Sequence, residues 1–229
     1  MRCLRHASWL LLAAIALPCG LQAQLTVDFN ANDAGWTIID FNWPSGPYNT
    51  PVGGPFAPVF SAAGGNPGGF ISATDRPSNP VSYFYAPASF RSALAGAYGS
   101  TVQFDLETPT SGTFFTQPDI VMTGGGLTLL LNISGLQTAP TSFWSTYSFT
   151  LSQAGWTLQG GGTPNALQFQ SVLGALTAFS IRGEFYDTVS ASLDNVRVSG
   201  IPEASETILF ALGLALLLVS RRGRRAIGW

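Results

Sequence analysis

The chain has 229 residues with a formal net charge of −2, and 46% of its residues are hydrophobic against only 10% charged. Its single histidine, His6, and both cysteines, Cys3 and Cys19, fall near the start of the chain, and it contains no lysine. Once an N-terminal signal is removed, disulfides, thiolate nucleophiles, histidine general bases and His/Cys zinc sites are all excluded.

That signal is legible at the start of the chain. Arg2 and Arg5 precede the apolar run Trp9 to Leu17, Pro18 and Gly20 break it, and Leu21-Gln22-Ala23 offers a small residue for cleavage. This is the order of a secretory signal, with residues 1–23 removed. Cys19 as a lipid-attachment cysteine is the alternative, and Pro18 stands where that reading wants a small residue.

The body, residues 24–200, carries ten acids and four arginines: Arg76, Arg91, Arg182 and Arg197. A chain this poor in cations lacks the basic footprint that a phosphate backbone requires, so nucleic acid is not an expected partner. Period-two alternation recurs in Leu25/Val27/Phe29, Val102/Phe104/Leu106, Leu127/Leu129/Leu131/Ile133, Tyr147/Phe149/Leu151 and Phe179/Ile181/Phe185. Each run predicts a strand with one buried face. Gly- and Pro-rich turns separate them, as at 64–69, 108–112, 124–126 and 160–162. About eight strands in a jelly-roll β-sandwich are therefore expected. One helix is predicted over Asn165 to Leu176, and the stretch Trp43 to Pro67 reads as a long loop lying over the sandwich.

The final strand places Asp194 in phase with Val196 and Val198, so in the absence of a bulge its carboxylate points at the valine face. A buried carboxylate must find a partner. Arg182 and backbone N–H groups are two possibilities. Trp43 and Tyr48, in the Pro/Gly stretch, are candidates for exposed sugar-stacking residues, whereas Trp36, Trp144 and Trp156 read as packing residues. A glycosidase needs two carboxylates about 5–10 Å apart. Asp105, Glu107, Asp119 and Glu184 are available, with Asp105 and Glu107 reading as the wet face of their strand. No motif supports catalysis.

The C-terminal segment, 201–229, has three parts: Pro202-Glu203-Ala204, an apolar run from Ile208 to Val219, and the cluster Arg221, Arg222, Arg224 and Arg225. The run is short of the ~20 residues that a span prefers. The arginines orient it with the body outside. A plain membrane anchor is one reading and a processed sorting signal the other.

The C-terminal layout resembles the bacterial PEP-CTERM sorting signal, with Ala204 departing from the usual third proline. That resemblance implies an exosortase-type processing enzyme as partner and delivery to the cell surface or extracellular matrix. The body resembles the laminin B domain, also called laminin domain IV, across about residues 27 to 198. The matching pieces, in order, are Tyr83 to Phe90, Ala97-Tyr98-Gly99, Val102 to Leu106, Asp119 to Met122, Gly126 to Leu129, Trp144 to Leu151 with Gly155-Trp156, Phe169 to Leu173, Leu176-Thr177, Ile181 to Phe185 and Ala191 to Val196. This implies a carbohydrate-module-like jelly roll of matrix and adhesion proteins without catalytic function. The resemblance itself supplies no sugar or protein partner; for an exported surface protein, an extracellular polysaccharide or a matrix protein is the expected one. The resemblance also implies a structural Ca²⁺ held by Asp28 and Asp194, with backbone oxygens near Ser72 to Asp75.

Overall fold

The structure is a computed structural model. It describes residues 23–42, 44, 46–74, 80–138, 140–187 and 189–201. The signal segment, Trp43, the Pro202-Glu203-Ala204 motif, the apolar tail and its four arginines lie outside the described residues. Among the described residues no helix is long and apolar enough to cross a membrane.

The chain runs through β1 (Ala23–Val27), β2 (Thr37–Asn42), β3 (Gly53–Phe56), β4 (Val59–Gly65), β5 (Gly68–Ser72) and β6 (Pro80–Tyr85). It continues through α1 (Ala88–Ala93), β7 (Thr101–Glu107), β8 (Ile120–Gly124), β9 (Leu127–Leu131), β10 (Ser145–Thr150) and β11 (Trp156–Leu158). It ends with α2 (Ala166–Gly174), β12 (Leu176–Arg182), β13 (Glu184–Tyr186), β14 (Val189–Ser190) and β15 (Ser192–Ile201). The strands pair antiparallel in two large sheets. One has the order β10-β7-β15-β5-β4, with β1 also paired to β15; the other has the order β11-β9-β8-β12-β6-β2-β3. They form a β-sandwich.

The alternation that predicts the strands also builds the core. Val102, Phe104 and Leu106 of β7, Phe179 and Ile181 of β12, and Val196 and Val198 of β15 are at most 1% exposed and share one apolar cluster. Trp36 and Trp156 join it, Trp36 edge-on to Phe29 and Phe90, and Trp156 edge-on to Phe149 and Phe169. Burying side chains of this size is worth roughly 1.5–3 kcal/mol each. α2 begins one residue after the predicted start because Asn165 caps it. Its side chain accepts from Gln168 N, and the Gln168 side chain accepts from Asn165 N, a reciprocal capping box.

Three expectations need correction. The structure has more strands than the eight predicted, because several are short edge or connecting pieces. The stretch Trp43 to Pro67 is not one loop: its second half forms β3 and β4, the last strands of the two sheets. Edge strands bury neither face fully. β3 and β4 accordingly carry Gly, Pro and Ala without alternation. Val59 remains 57% exposed. A second helix, α1, is too short for its period to register; it inserts Phe90 into the core.

Candidate functional site

The two sheets each have an outer face, and the candidate residues divide between them. On the six-stranded sheet, Asp194 of β15 sits directly opposite Asp105 of β7. Leu193 and Val196 both enter the core, so the strand shifts phase between them. The register slips between Asp194 and Arg197, and Asn195 takes φ +50°. This is a bulge, and it turns Asp194 away from the valine face to which simple alternation assigns it. Asp194 is nonetheless fully buried. The β4–β5 turn folds over it: Asn66 N donates to Oδ2 at 2.7 Å and Asn195 N to Oδ1 at 2.6 Å. Asn195 Nδ2 bridges Asp105 Oδ2 at 2.8 Å and Asp194 Oδ2 at 3.3 Å, and also donates to the Asn66 carbonyl. Asn66 Nδ2 and the Thr146 hydroxyl complete the shell of Asp105, at 3.2 and 2.6 Å. Asp105 is therefore buried under the turn and is not on a wet face. Gly65 is required here, since a Cβ would come within 2.6 Å of Asp194 Oδ2 and closer still to the Gly69 carbonyl. Trp144 braces the same turn, its Nε1 donating to the Gly64 carbonyl at 2.9 Å and its ring edge-on to Phe70.

Desolvation raises the pKa of Asp194, the two N–H donors oppose that, and the charges of Asp105 and Asp28 add to it. Asp28 is exposed, and its Oδ1 accepts from Asn30 N at 3.2 Å. The donor set does not fit a calcium ion. Calcium requires converging oxygens, whereas Asp194 is ringed by N–H groups. Ser72 pairs its hydroxyl with Ser192 at 2.9 Å, and Asp75 is outside the described residues. Among the described residues no three His, Cys, Asp or Glu side chains are grouped to hold a metal.

Arg182 does not pair with Asp194. It lies beneath the opposite outer face, fully buried, with Nη1 3.5 Å from Asp119 Oδ1. Its guanidinium donates to the carbonyls of Glu184, Gln117 and Phe115 at 2.9, 2.7 and 2.7 Å and lies 3.9 Å from the centre of the Phe185 ring. Desolvation raises the Asp119 pKa, while Arg182, Gln137 and the Ile133 N–H pull it down. Glu184 accepts from Ser82 N at 3.0 Å in the interior. Asp119, Glu184 and Asp105 are thus committed to structure, and no pair of them opens on a cleft as glycosidase chemistry needs.

Arg182 holds the segment 113–118 against the seven-stranded sheet. A second strap, residues 46–52, crosses beside it. Tyr48 belongs to this strap, yet it is only 7% exposed and not the projecting ring expected. Its ring packs edge-on against Phe41 and Tyr83, and its hydroxyl bonds to Gln117 Oε1. Burial raises the pKa of both Tyr48 and Tyr83, so both phenols remain donors. The Tyr48 N–H reaches Gln159 Oε1 at 2.7 Å, tying the strap across the sheet. Between strap and sheet an open groove of about 410 Å³ remains, lined by Tyr48, Asn49, Pro51, Pro55, Tyr85, Thr123, Thr177 and Ala178 among others. Tyr85, Thr123 and Thr177 are not among the residues that the sequence singles out. The available signal is Tyr83 and Tyr85 in one phase, placing two phenols on an outer face.

The buried acids of this sandwich thus serve its architecture. The family model for Laminin B (Domain IV) matches residues 83–205, more than half of the chain. The chain belongs to that family. Among solved structures, the L4b domain of human laminin alpha-2 is similar at 14% identity and a TM-score of 0.45, covering 52% of this chain and 70% of that one. A search of curated proteins gives no match.

Proposed function

We propose that the protein is a non-catalytic, exported adhesion or structural component of the cell surface or extracellular matrix, delivered by an exosortase-type system. Membership of the laminin B family carries this reading, because that family is structural and extracellular. The commitment of Asp105, Asp119 and Glu184 to internal hydrogen bonds and ion pairing supports the non-catalytic part. The strand order of the two sheets is read as a jelly roll, and the apolar tail with Arg221, Arg222, Arg224 and Arg225 as a transient membrane anchor behind the Pro202-Glu203-Ala204 motif.

The test is cell fractionation followed by intact-mass measurement of the recovered protein. The expected result is protein in the surface or matrix fraction, lacking residues 1–23 and the segment beyond the Pro-Glu-Ala motif. Recovery from the cytoplasm would overturn export. An uncut tail in the inner membrane would overturn exosortase processing. A second reading, a carbohydrate-binding module that attaches the cell to polysaccharide, is favoured by one observation: the groove beside Tyr48.

A further inference from the structure

The outer face of the seven-stranded sheet carries one row of residues set in register. Ala178 of β12 faces Thr123 of β8, and Ser180, one pleat further along the same face, faces Tyr85 of β6 and Val121 of β8. Ala178, Thr123 and Tyr85 line the groove. Ser180 is fully buried and its hydroxyl has no hydrogen-bond partner. A buried hydroxyl without a partner is uncommon and costly. Ser180 lies behind Ala178 and outside the groove lining, whose rim carries the exposed Asn49 amide and the hydroxyls of Thr123 and Thr177, bonded at 3.1 Å to Thr128 Oγ1 and to the Thr123 carbonyl and each keeping a lone pair for a further donor.

The chemistry of the walls narrows what fits. None of the described lining residues carries a formal charge. The nearby cation, Arg91, lies 4.8 Å from the Tyr85 ring centre and donates to the Ala86 carbonyl. An anionic ligand would therefore enter without a counter-charge in the walls, which is unfavourable. The walls are instead apolar faces of Pro51, Pro55 and tyrosine, edged by hydroxyls and an amide. That mixture suits a ligand with C–H faces and many neutral hydroxyl groups. The groove volume of about 410 Å³ is ample for such a ligand. Ordinary ligand sites begin at roughly 300 Å³.

We infer that this groove is the binding site for a neutral polysaccharide, held between the strap bearing Tyr48 and Asn49 and the row Tyr85, Thr123, Thr177 and Ala178. The inference rests on the surface and matrix reading above and names the ligand class that the protein would bind there.

The experiment is affinity electrophoresis of the full-length chain, in mild detergent, through native gels cast with hydroxyethylcellulose, galactomannan or dextran as neutral probes and alginate as the acidic one. At least one neutral probe is expected to retard the protein, and alginate is not. Ala178→Tyr fills the groove floor and is expected to weaken retardation about tenfold or more, a loss of about 1.4 kcal/mol. Asn49→Ala combined with Thr123→Val removes two polar groups from the rim, together with the Thr123–Thr128 hydrogen bond, without blocking the groove, and is expected to weaken it about threefold or more. The double variant decides the matter if Ala178→Tyr lowers the melting temperature. Failure of all three neutral probes, equal retardation by alginate, or unchanged retardation of the folded variants would overturn the assignment. If that happens while fractionation still places the protein at the surface, the groove is wrong and the surface reading stands.

Discussion

The two outer faces of this sandwich are closed by opposite means. Over the six-stranded sheet a short hairpin turn is clamped by carboxylates and amides: Asp105, Asp194, Asn195 and Asn66. Over the seven-stranded sheet two longer straps lie on aromatic rings, and one buried guanidinium gathers the carbonyls of one of them. The polar closure is compact and buries Asp194 completely. The apolar one is broader, and the space at its margin is the groove. A tightly satisfied hydrogen-bond network fixes a surface, whereas a strap resting on side-chain packing leaves contours that a ligand can use.

Removing the guanidinium tests this contrast most severely. Arg182→Leu leaves Asp119 buried without its ion-pair partner and takes a donor from the carbonyls of Glu184, Gln117 and Phe115. Stability should fall by about 3–5 kcal/mol in chemical denaturation, and a loss under ~1 kcal/mol would mean that water repairs the strap. On the other face, Asn195→Ala removes a bridge between the two carboxylates and places an alanine at positive φ. A loss of about 1–3 kcal/mol is expected, and the groove-bearing face should be unaffected as judged by tyrosine fluorescence.

A smaller effect is the pH dependence. The pKa values of Asp194 and Asp119 are raised in the fold. The native state therefore holds protons that the unfolded chain has released between about 3.9, the ordinary aspartate value, and those raised values. These two groups contribute stability that is fully present below the unfolded pKa and is lost as pH rises through the folded one. Asp194→Asn should flatten its part of that slope when melting temperature is followed from pH 4 to 7. A slope unchanged by the substitution would show that Asp194 does not titrate there. Smallest of all, adding Ca²⁺ or EDTA should move the melting temperature by less than about 1 °C, because N–H groups occupy the approaches to Asp194. A larger rise with Ca²⁺ would restore the metal expectation.

Much of the interior is legible in the sequence. The alternating runs of β7, β9, β10 and β12 are where large apolar residues meet the core, and the helix predicted over Asn165 to Leu176 is α2. The outer faces are harder to read. Alternation correctly buries Asp194, but a single residue with positive φ, Asn195, reverses the face on which it lies, and strict alternation cannot anticipate that reversal. Tyr48 sits in a Pro/Gly stretch that looks exposed, and only the tertiary approach of Phe41 and Tyr83 covers it. β3 and β4 read as loop because edge strands need no apolar phase. Asp105 alternates like a wet residue and is covered by a turn far away in the chain.

One consequence concerns the order of assembly. β15, the last described strand, lies inside its sheet, joined to β7 on one side and to both β5 and β1 on the other. The earlier strands of that sheet have no common neighbour until β15 arrives, and the lid over Asp194 closes only then. A nascent or truncated chain ending before Ser192 would present three open strand edges at once, making it prone to pair with other chains. Pairings as distant in the chain as Ala23 with Ile201 carry a loop-closure cost that slows the folding of such sheets.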